Sequence, residues 1–222
     1  QVGAAQTHLK NNNINIGDLF LFWGWFRETV TLNKKTVYLK KDPGHYRFFG
    51  WLQIGKIIHL GKDPSWYSEH KSISNSHPHT IGHWKENNTL YLASDKLNAF
   101  GLKNYYGFGK FNASEYTNLS IDPSYKKSLW KCPDWLNPKL GGCGMTYHKD
   151  KERWGKNSVE IVGRGQEFVA EPKKKIKCKK WLTNIFKDAY TIEEVKYFKK
   201  LKKDLNKEAM RRALLHKDQW TR

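Results

Sequence analysis

GDLFLFWGWFRETV (17–30) and HYRFFGWLQIGKIIH (45–59) are the two stretches whose reading decides the fold of this chain. The first is a nearly unbroken aromatic and aliphatic run. The second mixes apolar Phe49, Trp51 and Ile54 with polar Arg47, Gln53 and Lys56. Two such runs read as paired strands with one side well buried. Asn33 to Lys35 and Lys40 to Gly44 are polar breaks of the kind that form turns, and TVYL (36–39) between them reads as a third short strand. A meander is the simplest topology for three strands in this order.

The 222 residues suffice for one well-buried core. The expected class is α+β, mostly antiparallel sheet, with a core domain over residues 1–170 and a basic helical tail over 171–222. Forty Lys and Arg against 21 Asp and Glu give a net charge of +19. That excess favours an anionic partner, nucleic acid foremost, with DNA ahead of RNA. Part of it is background, since Lys and Asn are abundant throughout, as in chains from AT-rich genomes. Cys132, Cys143 and Cys178 are odd in number and form no close CxxC pair, which argues against a disulfide framework and a zinc ribbon and for a reducing cytoplasm. No apolar run approaches the roughly 18–20 residues that span a bilayer, so no membrane partner is expected. The sequence does not identify a cofactor.

QVGAAQTHLK (1–10) reads as the last turns of a helix with Ala4, Ala5 and Leu9 on its apolar side, ended by the Asn run. A helix opening on Gln suggests further residues, or a separate chain, ahead of Gln1. Asp63 and Pro64 fit the N-cap and first position of a short helix or turn. Pro78 holds His77 extended, and NNTLYLAS (87–94) supplies a strand from about Thr89. Residues 95–135 read as irregular, aromatic-packed structure with YYGFGKF as a short strand, and SLWKCPDWL closes the segment. GGCG (141–144) marks a tight turn. In SVEIVGRGQEFVA (158–170) two half-strands flank GRGQ, where glycines suit a bulge or a close ligand. The tail begins with PKKKIKCKK, continues in a short amphipathic helix, and ends in a long one opened by Thr191. Its stripe of Val195, Phe198, Leu201, Leu205 and Ala209 is expected to dock on the body, or else to meet a homodimer partner or nucleic acid.

QVGAAQTHLKNNNINIGDLFLFWGWFR, FFGWLQIGKII, HPH, NNTLYLAS, SLWKCPDW, YH, Trp154 and RGQEFV, in that order, resemble the third family of nucleotide modification associated domains, found in phage and bacterial proteins. The likeness runs to about Val169. It implies association with nucleic-acid base modification or its recognition, and a further segment before Gln1 that contributes to the site. A weaker resemblance, through Gly17-Asp18 and Gly50 to Ile57, is to PUA-like barrels such as EVE and ASCH domains, which hold a flipped or unpaired base.

A pocket for a base needs flat apolar faces and a few groups to read the base edge. Trp23, Trp25, Trp51 and Tyr91 offer faces, along with Trp84, although aromatic strand residues more often pack in a core. Alternation places Trp23 and Trp25 on one side of their strand, so both are core or both are pocket. Gln53, Asn87, Asn88, Gln166 and Glu167 offer edges. Arg27, ending an aromatic strand, and Arg164, between glycines, are suited to fork onto a phosphate or carboxylate. His79 with Glu167 or Asp18 forms a chemically reasonable acid-base set, and His77 shares the histidine loop. His77 and His79 with His148, Cys132 or Asp18 match no zinc spacing, so no metal is expected. Three functions compete: a nucleic-acid-binding protein that recognises a modified or flipped base, an enzyme acting on DNA, nucleotides or bases, and a structural or partner-binding subunit.

Overall fold

The computed structural model describes residues 1–67, 77–162 and 167–218, from residue 208 as backbone alone. Among them the elements are α1 (Gly3–Asn11), β1 (Leu19–Phe26), β2 (Thr29–Leu32), β3 (Lys35–Tyr38), β4 (His45–His59), β5 (Thr89–Ala93), β6 (Phe108–Lys110), β7 (Leu129–Lys131), β8 (Ser158–Glu160), α2 (Lys175–Phe186) and α3 (Ile192–Asp218). This is a mixed α+β fold with antiparallel sheets and a helical C-terminal stretch.

β4 organises the chain because fifteen extended residues can serve two sets of partners. Its first half pairs antiparallel with β1, and its second half with β5. β6 pairs on the far side from β1, against Gly50 to Leu52. The strands 29–32 and 35–38 form a hairpin of their own, so β1 pairs with β4 across an excursion rather than in a meander. Asn33 and Lys34, with φ of 51° and 63°, make its two-residue turn in the left-handed geometry that matches strand twist. β7 and β8 form a second separate pair. Four strands in one sheet and two in each of the others leave no closed barrel among the described residues, so the barrel implied by the PUA-like resemblance is not formed. The β1–β4 register slips between Phe22 and Trp23, leaving Phe49 without a partner on β1. That extra residue puts both Phe48 and Trp51 on the buried side, at 9% and 3% exposure.

The core lies on the inner side of this sheet. Trp51 packs against Phe111 at 4.7 Å and Phe186 at 4.9 Å between ring centres. Phe186 comes from α2, where Cys178, Leu182, Ile185 and Phe186 fall on one helical side and are buried in the same cluster as Trp130 and Trp154. Loss of a Trp or Phe at such a position typically costs about 3–5 kcal/mol. EFVA (167–170) is extended without joining a sheet. α3 opens with a reciprocal cap, the Thr191 N–H donating to Glu194 Oε2 at 2.7 Å and the Glu194 N–H to Thr191 Oγ1 at 3.3 Å. Its stripe does not dock on the body, because Phe198, Leu201 and Leu205 are exposed. No described helix is long and apolar enough to cross a membrane.

Candidate nucleotide site

β1 hydrogen-bonds to β4 along one edge and, among the described residues, to no strand along the other. A hollow of about 1030 Å³ follows that open edge. α1 and the loop after it border one side, through Leu9, Asn12 and Ile14, and residues 167–172 border the other. α1 ends there because Asn12 Nδ2 caps the His8 carbonyl at 2.8 Å and Asn13 turns left-handed. The far wall is aromatic: Trp23 lies parallel to Phe168 at 5.7 Å and edge-on to Trp130 at 4.8 Å. Phe168 is held by its neighbour Val169, whose N–H donates to Thr146 Oγ1 and whose carbonyl accepts from the Thr146 N–H, both at 2.9 Å. The lining takes in outward Phe20 and Phe22 as well as inward Leu21 and Trp23, so the hollow wraps around the strand edge.

Asp18, His77, Tyr91 and Glu167 bring polar atoms to this lining. His77 Nδ1 accepts the His79 N–H at 3.2 Å, which leaves the proton of the neutral ring on Nε2. Burial is the main cause that pulls the His77 pKa down, helped by the positive charges of His79 and the amino group of Gln1. The ring is therefore neutral near pH 7 and offers an N–H donor, and Nε2 has no partner among the described residues. The half-buried Glu167 carboxylate makes no hydrogen bond or close ion pair among them, and its charge acts on the amino group of Gln1. Asp18 accepts the Asn15 N–H at 2.8 Å and remains exposed. Tyr91 donates its hydroxyl to Gln6 at 3.0 Å, and burial raises its pKa. Aromatic walls with an unengaged donor and an unengaged acceptor are what a planar, edge-bearing ligand requires.

The family model described as nucleotide modification associated domain 3 matches residues 1–171. The chain belongs to this family. No curated protein and no solved structure matches it. Membership associates the chain with nucleotide modification.

In this member of the nucleotide modification associated domain 3 family, the remaining candidate residues lie away from the hollow. Trp51 is buried in the core and donates its indole N–H to the Tyr106 carbonyl at 3.0 Å. Gln53, 6% exposed, accepts the N–H groups of Asn98 and Ala99 at 2.6 and 3.1 Å, so its carbonyl fastens a loop. Trp25 shares Tyr46 with Trp23, on the same side of β1, but only Trp23 lines the hollow, so the two do not act together as expected; Trp25 carries Lys127 Nζ 5.0 Å above its ring. Arg27 donates to the Leu39 carbonyl and stacks over Tyr38, tying β1 to the β2–β3 hairpin. Asn87 clamps Gly3 through both its amide atoms, at 2.9 and 2.8 Å, and so docks α1.

His79 is held by Asn88 rather than directed at the hollow. Asn88 Nδ2 donates to the His79 carbonyl at 2.9 Å, so its Oδ1, 2.6 Å from His79 Nδ1, must be the acceptor. The ring also stacks on Trp84 at 4.4 Å. The acid-base set of His79 with Glu167 or Asp18 is thus not brought together at the hollow; His77 is the histidine there. His148 is engaged at both nitrogens, by the Thr146 carbonyl at 2.8 Å and the Val162 N–H at 3.1 Å. No group of three His, Cys, Asp or Glu side chains suited to a metal occurs among the described residues. Burial pushes the Cys132 and Cys178 thiols up to about 12. Arg164 and Gln166 fall outside the described residues.

Sequence reasoning missed Trp130 and Phe168 as walls. Both sit in quoted motifs, SLWKCPDW and RGQEFV, but nothing in local spacing brings those motifs to β1. It also passed over Arg47, which is flanked by aromatic residues in a strand with no acidic residue.

Proposed function

We propose that this protein binds nucleic acid and takes a modified or flipped base into the hollow beside β1. The observation that carries this reading is the pairing of aromatic walls with two unengaged edge groups, the His77 Nε2–H donor and the Glu167 carboxylate acceptor. A base held there stacks on the rings and is read along its edge by these groups. A hollow of about 1030 Å³ has room for the base with its sugar. The +19 charge supplies non-specific attraction to the backbone, with Lys173 to Lys175 among the contributing cations.

The test is a titration of the protein with labelled oligonucleotides carrying natural or modified bases, over a range of salt. Affinity falls with salt, base identity changes it, and Glu167→Gln or His77→Ala lowers base selectivity about tenfold while leaving the salt slope alone. Absence of binding at low salt, or indifference to the base, overturns the reading.

A second reading, an enzyme acting on nucleotides or bases, is supported by the presence of Asp18 and Glu167 in the same hollow. His77 Nδ1 is already occupied and its Nε2 carries the proton, so a general base there falls to a carboxylate. Turnover of a modified oligonucleotide that disappears in Glu167→Gln, with folding retained, favours the enzyme; an inert protein across such a panel removes it.

A further inference from the structure

The side of the sheet facing away from the core carries a row of exposed rings. Pairing places Phe20, Phe22, Gly24 and Phe26 of β1 outward, opposite Leu52, Gly50, Arg47 and His45 of β4. Phe108 and Lys110 of β6 extend the same side opposite Leu52 and Gly50. The bulged Phe49 lies between, its ring centre 6.1 Å from Phe22 and 5.8 Å from Phe26. Phe22, Phe26, Phe49 and Phe108 are 39, 38, 42 and 59% exposed. Gly24 has no side chain there, and the rings of Phe26 and Phe49 lean over it.

The strands of this side carry charge of one sign, and the carboxylates of Asp42 and Glu28 act only at its edge, on His45. β1, β4 and β6 contain no Asp or Glu. Arg47 has its Nε buried without a partner, and its guanidinium makes no hydrogen bond or ion pair with any described residue. A half-buried guanidinium without a carboxylate is costly to keep unless an anion completes it. Lys110, opposite Gly50 on β6, is exposed on the same side.

We propose that this outer side is a stacking platform for single-stranded nucleic acid, with bases on Phe22, Phe49 and Phe108 and phosphates at Arg47 and Lys110. Duplex bases hide their faces in their own stack, whereas a single strand presents them to exposed rings, and phosphate is the anion that accompanies each base. A second copy of the chain fits less well, because an isologous contact brings Arg47 and Lys110 to strands that carry no acid to meet them. The inference goes beyond the base-reading hollow and does not require it: the hollow accommodates one base, the platform a run of neighbours. Phe22 and Phe49 border both, so a strand lying on the platform leads to the mouth of the hollow.

Fluorescence polarisation of the full chain with a labelled oligothymidylate of about 12 nucleotides, a length typical of such sites, and with its duplex tests this. The single strand is expected to bind about tenfold or more tighter than the duplex. Phe49→Ala with Phe108→Ala removes about tenfold of single-strand affinity and leaves duplex affinity unchanged. Arg47→Gln lowers the salt slope by about one. Phe108→Ala alone, on a short edge strand, keeps the test decisive if the double variant folds poorly. Equal affinity for the two forms, ring variants that bind as the parent does, or a parent dimer that becomes monomeric in the ring variants each overturn the platform. Base selectivity lost in Glu167→Gln tests the hollow separately, since the preference for single strands survives that change.

Discussion

Asn88→Ala is the most informative perturbation of the scaffold that positions His77. Asn88 is fully buried, and its amide holds both the His79 ring, at 2.6 Å, and the His79 carbonyl, at 2.9 Å. The His79 N–H in turn fixes His77 Nδ1. Alanine removes two hydrogen bonds of about 1 kcal/mol net each and leaves an imidazole N–H and a carbonyl short of partners, a further cost of about 1 kcal/mol at this half-buried residue. The sum is about 3 kcal/mol, which in a chain of 222 residues lowers Tm by about 6–12 °C. Asn88→Asp keeps the acceptor for the ring but turns a carboxylate oxygen toward the His79 carbonyl, so it does not rescue the loss at neutral pH. Urea unfolding of Asn88→Ala, Asn88→Asp and the exposed control Lys103→Ala measures this. A cost for Asn88→Ala no larger than the control's, which is expected within about 0.5 kcal/mol, refutes the clamp.

Two further outcomes follow from the packing. At Gly107 an added Cβ collides with the Ser94 carbonyl oxygen, a backbone atom, so Gly107→Ala is expected to cost about 3 kcal/mol or more or to abolish soluble expression; a variant with the parent's unfolding midpoint contradicts the contact. Burial is the leading cause of lowered pKa at both His148 and His77, and the unfolded chain therefore binds more protons than the folded one below about pH 6.5. This contribution to stability is complete above that pH and is lost as pH falls through the lowered folded values. The urea midpoint should drop between pH 7.5 and 5, less steeply in His148→Gln, and a flat profile argues against it.

The sheet was largely legible because β1 and β4 are long, aromatic and bounded by turn residues, signals that tertiary context seldom overrides. Thr191 marked the start of α3 in the same way, and the cap it forms there with Glu194 acts locally. Other features depend on distance in the chain. Nothing near Gln53 indicates that its carbonyl serves Asn98 and Ala99, and nothing near His79 indicates Asn88, although two adjacent asparagines before a strand are natural clamp residues. The stripe of α3 was expected to dock because such stripes usually do, yet periodicity states only that a helix has an apolar side, not that a surface waits for it. Glu167 was chosen for its glycine-rich neighbourhood and reaches the hollow, whereas its wall mate Trp130 carried no local mark.

The unpaired Phe49 sets the parity of β4 as far as the second slip, between Ile54 and Lys56. Were that position deleted, Trp51 and Gln53 would exchange sides with Leu52, expelling an indole from the interior and unfastening the loop at Asn98 in a single stroke. One residue thus keeps two aromatic populations apart on the same ribbon, those that hold the molecule together and those left facing the solvent.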